Sequence, residues 1–151
     1  MEEEMYYKSV EILLVEDNDG DARLAMEAMR DSKIRNNLHH VHDGEEAMEY
    51  LRRQGAFAKA KRPDLIILDL NLPKKDGREV LAEIKQDESL KRIPVVILTV
   101  SNAEEDILKT YNLHANCFIT KPIGLAQFMK VVHSIQDFWL SIVKLPNGMG
   151  R

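Results

Sequence analysis

At 151 residues, 44% hydrophobic and 30% charged, the chain has the size and balance of one soluble domain built around a single core. A net charge of -4 argues against a nucleic-acid partner, which needs clustered Lys and Arg, and no apolar run approaches the roughly 20 residues that cross a bilayer. The acidic start MEEEMYYK does not read as a signal peptide, and Cys117 is the only cysteine, so no internal disulfide and a reducing, cytoplasmic home are expected.

Strands and helices alternate along the sequence. Val10–Val15 reads as a buried strand, Asp21–Asp31 as a helix with Leu24, Ala25, Ala28 and Met29 at helical spacing, and Leu38–Val41 as a short strand. Gly44–Arg53 is expected to be a helix presenting Ala47, Met48 and Leu51, and Gly55–Arg62 a tolerated surface insertion. Leu65–Leu68 is apolar without alternation, as in a strand covered on both faces. A turn over Asn71–Gly77, marked by Pro73 and Asp76-Gly77, leads to a helix over Arg78–Lys85 with Val80, Leu81 and Ile84 inward. Val95–Leu98 is the fourth strand. Ser101 or Asn102 caps a helix running to about Asn112, Cys117–Ile119 is the fifth strand, and Leu125–Val143 is the last helix. Strict alternation predicts a doubly wound α/β fold, a parallel sheet with helices on both faces, and the five strands are read in one of the common doubly wound orders, 2-1-3-4-5. The expected division is an extension over residues 1–7, one domain over 8–143 and a tail over 144–151, with no second domain after it.

Four of the apolar runs end in groups suited to phosphate chemistry: Glu16 and Asp17, Asp69, Thr99, and Lys121. In a parallel sheet these ends share one edge, and ligands sit there at the point where strand order reverses, between the first and third strands. Those two strands end in Glu16-Asp17 and in Asp69. Converging carboxylates repel one another, and a divalent cation removes that cost. Oxygen donors favour Mg²⁺, with Asp17 and Asp69 as direct ligands and Glu16 acting through a water. A carboxylate can also attack phosphorus to form an acyl phosphate. Asp69, alone at the end of the central strand and followed by an open turn, is the expected nucleophile. Mg²⁺, Lys121 and the Thr99 hydroxyl would each hold one phosphoryl oxygen.

These residues resemble the receiver domain of two-component response regulators, the CheY-like family, over about Lys8 to Phe138. The resemblance implies that Glu16 and Asp17 are the acid pair, Asp69 the phospho-acceptor, Thr99 the switch hydroxyl and Lys121 the family's lysine. It also implies that Asn71 lends its main-chain carbonyl to the metal and that Pro122 follows a cis peptide bond. Phe118 falls at the aromatic switch position, where it is either the rotating partner of Thr99 or a plain core residue. The surface that responds would be the fourth helix, fifth strand and fifth helix. DLNLPKKDGREVLAEIK, LKRIPVV and the terminal FWL…LP are similar to the stand-alone regulators that partner cyanobacterial phytochromes. A phytochrome-type sensor histidine kinase is therefore the implied donor. One departure is Val100, where the family has a very small residue; a β-branched side chain there is expected to slow dephosphorylation.

The last helix would run about 28 Å against a typical strand of about 17–20 Å. Its overhang carries Phe138, Trp139, Leu140, Ile142 and Val143, too apolar to leave wet. It either folds back or, the preferred reading, forms a homodimer contact through Phe138, Trp139 and Ile142. Other signals fail. DNDGDA lacks the Gly and Glu that an EF-hand needs, having Ala22 and Ala28 instead. His39, His40 and His42 have no fourth zinc ligand near in sequence and read as a solvated strand edge. No P-loop or G-x-G-x-x-G occurs. A rival class, the aspartyl-phosphate hydrolases and mutases, needs a general acid two residues after the nucleophile, where Asn71 stands. A constitutive adaptor using the fold without phosphate is the blander alternative. The expectation is a signalling switch that catalyses only its own phosphorylation and dephosphorylation, not an enzyme.

Overall fold

The computed structural model describes residues 9–31, 35–99 and 117–120, together with Ala126 and Lys130, both helical; at Thr99 and over 117–120 only the backbone is described. The order is β1 (Val10–Val15), α1 (Asp19–Asp31), β2 (Asn36–Val41), α2 (Gly44–Leu51), a 3-10 turn (Gly55–Phe57), β3 (Leu65–Asp69), α3 (Gly77–Gln86), β4 (Val95–Thr99) and β5 (Cys117–Thr120). The strands form one sheet in order β2-β1-β3-β4-β5, and every neighbouring pair is parallel. The expected order 2-1-3-4-5 is the order found. The helices expected over 101–112 and Leu125–Val143 lie outside the described residues but for Ala126 and Lys130.

Side chains alternate across the three central strands and feed two cores. Ile12, Leu14, Leu65, Ile67, Val96 and Leu98 face α1, which contributes Ala22, Ala25, Ala28 and Met29. Leu13, Val15, Ile66, Leu68, Val95 and Ile97 face α2 and α3, which contribute Ala47, Met48, Leu51, Val80, Leu81 and Ile84. Burial on both faces explains the continuous apolar runs: each of these strands has no wet side to mark with polar residues.

Several sequence expectations change at the margins. Leu24 is 44% exposed, and Ala22 takes the inward place. Two residues along a helix is a turn of about 200°, so Leu24 and Ala22 cannot both face the sheet. Helix α1 also starts at Asp19 rather than Asp21, because the Asn18 Oδ1 accepts the Asp21 N–H at 2.8 Å and ends the first turn there. Strand β2 begins at Asn36, two residues before the apolar pattern, since pairing with Val10 rather than hydrophobicity defines it. The Gly55–Arg62 segment is more than a surface insertion: Phe57 and Ala60 pack against the core, with the Phe57 and Tyr50 ring centroids 5.3 Å apart.

Candidate functional site

Strand register brings the acids together. Val15 pairs with Leu68, so Glu16 and Asp69 emerge side by side one step further on. By alternation both follow the face that packs on α1. Glu16 is 0% exposed and Asp69 2%, the two buried charged residues among those described, whereas Asp17 is exposed. One carboxylate oxygen from each of Glu16, Asp17 and Asp69 lies within 4.8 Å of the other two. These are the only described residues that form such a group.

The loop chemistry around the acids is local on one side and tertiary on the other. After β1, Glu16 Oε2 accepts the Asn18 N–H at 3.1 Å, and Asn18 then caps α1. After β3, the Asn71 N–H donates to Asp69 Oδ1 at 3.3 Å. The chain continues through Leu72, which is buried, and a γ-turn at Lys74. There φ is +67° and the Lys75 N–H donates to the Pro73 carbonyl at 2.8 Å. A capping box closes this connection: Asp76 accepts the Glu79 N–H, and Glu79 accepts the Asp76 N–H, while the Arg78 N–H also donates to Asp76. Gly77 lies so near the acceptor strand that a Cβ there would sit 2.3 Å from the Asp69 carbonyl oxygen. Gly44 does the same for the γ-turn, since its Cβ would lie 1.9 Å from the Lys75 carbonyl oxygen.

Sequence reasoning placed Glu16, Asp17 and Asp69 together, and they are together. Asn71 stands where it was expected, in the turn after the acceptor. Thr99 ends β4 beside Thr120, and Phe118 lies on β5 opposite Ile97. Their side chains lie outside the described residues, as do Val100, Lys121, Pro122, Phe138, Trp139 and Ile142. The reasoning missed Asn18, although Asn two residues after an acid and just before a helical pattern is a cap signal. It also missed Gly77, whose signal was the Asp-Gly pair read only as a turn. The histidines are not simply a solvated edge. His40 Nε2 lies 2.7 Å from the Glu16 carbonyl, and His39 meets Glu11 at 3.3 Å.

All three donors at the acid cluster are carboxylate oxygens, a set suited to a hard divalent cation. Two oxygens bound to one Mg²⁺ at about 2.1 Å lie no more than about 4.2 Å apart, and a third acid acting through a water stands further off, so carboxylate oxygens within 4.8 Å of one another suit such an ion. Residues 12–133 match the response regulator receiver domain family. The chain belongs to that family. Among receiver proteins, it is 53% identical over 135 residues to response regulator Rcp1 of Synechocystis sp., covering 89% of this chain and 92% of that protein. It also resembles the crystal structure of the phosphorylated cyanobacterial phytochrome response regulator RcpA, with TM-score 0.76 and 56% identity over 92% of this chain and 99% of that one. The Mn²⁺-bound form of Rcp1 matches with TM-score 0.74 and 52% identity over 91% and 99%. No described helix of this receiver domain is long and apolar enough to cross a membrane.

Proposed function

We propose that this receiver domain is a phosphorylation-dependent switch in which Asp69 accepts a phosphoryl group from a sensor histidine kinase of the phytochrome type. The observation that carries this reading is the convergence of Glu16, Asp17 and Asp69 at the strand-order reversal, with Asp69 on the central strand and a long turn beside it. An Asp69 carboxylate oxygen attacks phosphorus, the donor histidine nitrogen leaves, and an acyl phosphate remains. Asp17, Asp69 and the Asn71 main-chain carbonyl would hold Mg²⁺, with Glu16 reached through a water. When bound, that ion neutralises charge on the carboxylates and on the phosphoryl oxygens. Lys121 and Thr99 supply the remaining contacts to the phosphoryl group. Thr99 and Phe118 would pass the change to the surface around β5, and Phe118 gains burial without a hydroxyl to satisfy. Relatedness to phytochrome response regulators supports the choice of kinase.

The test is phosphoryl transfer from an autophosphorylated phytochrome histidine kinase carrying radiolabel. Label should move to the wild-type chain and not to Asp69→Asn. Sustained turnover of small phosphate esters would favour the hydrolase class instead. The homodimer through Phe138, Trp139 and Ile142 predicts that Trp139→Ala lowers the sedimentation coefficient at micromolar concentration; an unchanged value ends that part. Val100→Ala should speed loss of the phosphoryl group, and an equal or slower rate removes the idea that Val100 guards it.

A further inference from the structure

We infer that His40 is a positioning residue for the acid pair, acting through the main chain of Glu16; this rests on the metal-site reading above. The Glu16 peptide is held from β2 on both sides. Its N–H donates to the Val41 carbonyl at 3.1 Å, and its own carbonyl lies 2.7 Å from His40 Nε2. A carbonyl can only accept, so Nε2 carries the proton and donates it there.

The Glu16 carbonyl is part of the planar unit that includes the Asp17 nitrogen and Cα. Pinning that oxygen therefore sets the direction in which Asp17 leaves β1. The two acids differ in how they are held. Glu16 is buried and receives the Asn18 N–H on its carboxylate. Asp17 is exposed, and no described residue donates a hydrogen bond to its carboxylate. Its orientation follows the backbone, and His40 is one of the groups that fix that backbone. The imidazole is braced in turn: its centroid is 4.2 Å from that of His42, whose backbone N–H donates to Glu46 at 2.8 Å. Outer partners that orient metal ligands typically change metal affinity 10–100-fold when removed.

The experiment titrates Mn²⁺ into the full chain and follows free Mn²⁺ by electron paramagnetic resonance. It compares wild type with His40→Ala and His40→Gln. His40→Ala should bind Mn²⁺ about 10-fold more weakly, and His40→Gln, whose amide N–H can reach the same carbonyl, should recover affinity to within a few-fold of wild type. Wild-type affinity in His40→Ala overturns the proposal. So does a Gln variant as weak as Ala, which would assign the effect to ring bulk. Nitrogen-15 NMR of the wild-type ring stands apart from any folding failure: an Nε2-protonated tautomer is expected, and an Nδ1-protonated one overturns it. Wild-type protein that takes up no Mn²⁺ overturns the metal-site reading as well, whereas normal uptake by all variants overturns the role of His40 alone.

Discussion

The two connections that carry the acids are built in opposite ways. From Glu16 to α1 the chain needs only Asp17 and Asn18; past the ties from β2 to the Glu16 main chain, hydrogen bonds between near neighbours hold it: Asn18 to the Glu16 carboxylate, Asp21 to Asn18. From Asp69 to α3 it takes seven residues and depends on contacts from elsewhere. Gly77 lies on the Asp69–Leu70 backbone and Gly44 on the γ-turn at Lys74. Lys75 pairs with Glu83, which also accepts from Arg52 at 3.1 Å. A short connection can be specified largely by its own residues once the strand end it leaves is fixed. A long one that leaves a nucleophile open to a donor has to be clamped by the fold around it.

Breaking each connection should therefore give a different signature. Asp17→Asn removes the charge of a proposed metal ligand without touching packing, so Mn²⁺ affinity should fall by about 100-fold while the thermal midpoint holds or rises; calorimetry with and without metal checks both. Gly77→Ala forces a Cβ into the acceptor backbone and should destabilise the fold by about 3 kcal/mol, read from urea unfolding. If Gly77→Ala is neutral, the long connection is not clamped at Gly77. Asn18→Ala loses a cap and should cost about 1 kcal/mol, measured the same way.

Glu83→Gln is the mildest change and sharpens the comparison by pH. Burial pushes the Glu83 carboxyl up, but hydrogen bonds and charge from Lys75 and Arg52 outweigh it and hold the pKa below the ordinary value. A lowered folded pKa means that the unfolded chain binds the proton first on acidification. The stabilisation is thus fully present above the ordinary glutamate pKa and is lost as pH falls through the lower folded value. Wild type should melt above Glu83→Gln at neutral pH, and the gap should close in that acid window. A gap that persists at low pH contradicts the assignment.

The strands and the acid cluster were legible because both rest on short-range signals: apolar runs, and the residue at which each run stops; the order of the strands came from the doubly wound topology, not from the runs themselves. Leu24 was misread because hydrophobicity was taken for orientation; small Ala22 lies on the inward stripe and Leu24 does not. Asn36–Asn37 were missed because an edge strand is defined by its partner, not by its own composition. His40 was read as solvated edge because nothing in its neighbourhood in sequence announces a bond to a carbonyl on β1. Gly77 and Gly44 mark contacts between segments distant in the chain, and a glycine does not say which backbone needs the space.

The central claim is that Asp69, gathered with Glu16 and Asp17, can carry a labile phosphoryl group. Intact mass spectrometry after incubation with acetyl phosphate and Mg²⁺ tests it most directly. The wild-type chain should gain the mass of one phosphoryl group, lose it with time, and require the metal, and Asp69→Asn should gain nothing. A wild-type spectrum without the adduct, or an equal adduct on Asp69→Asn, would contradict it.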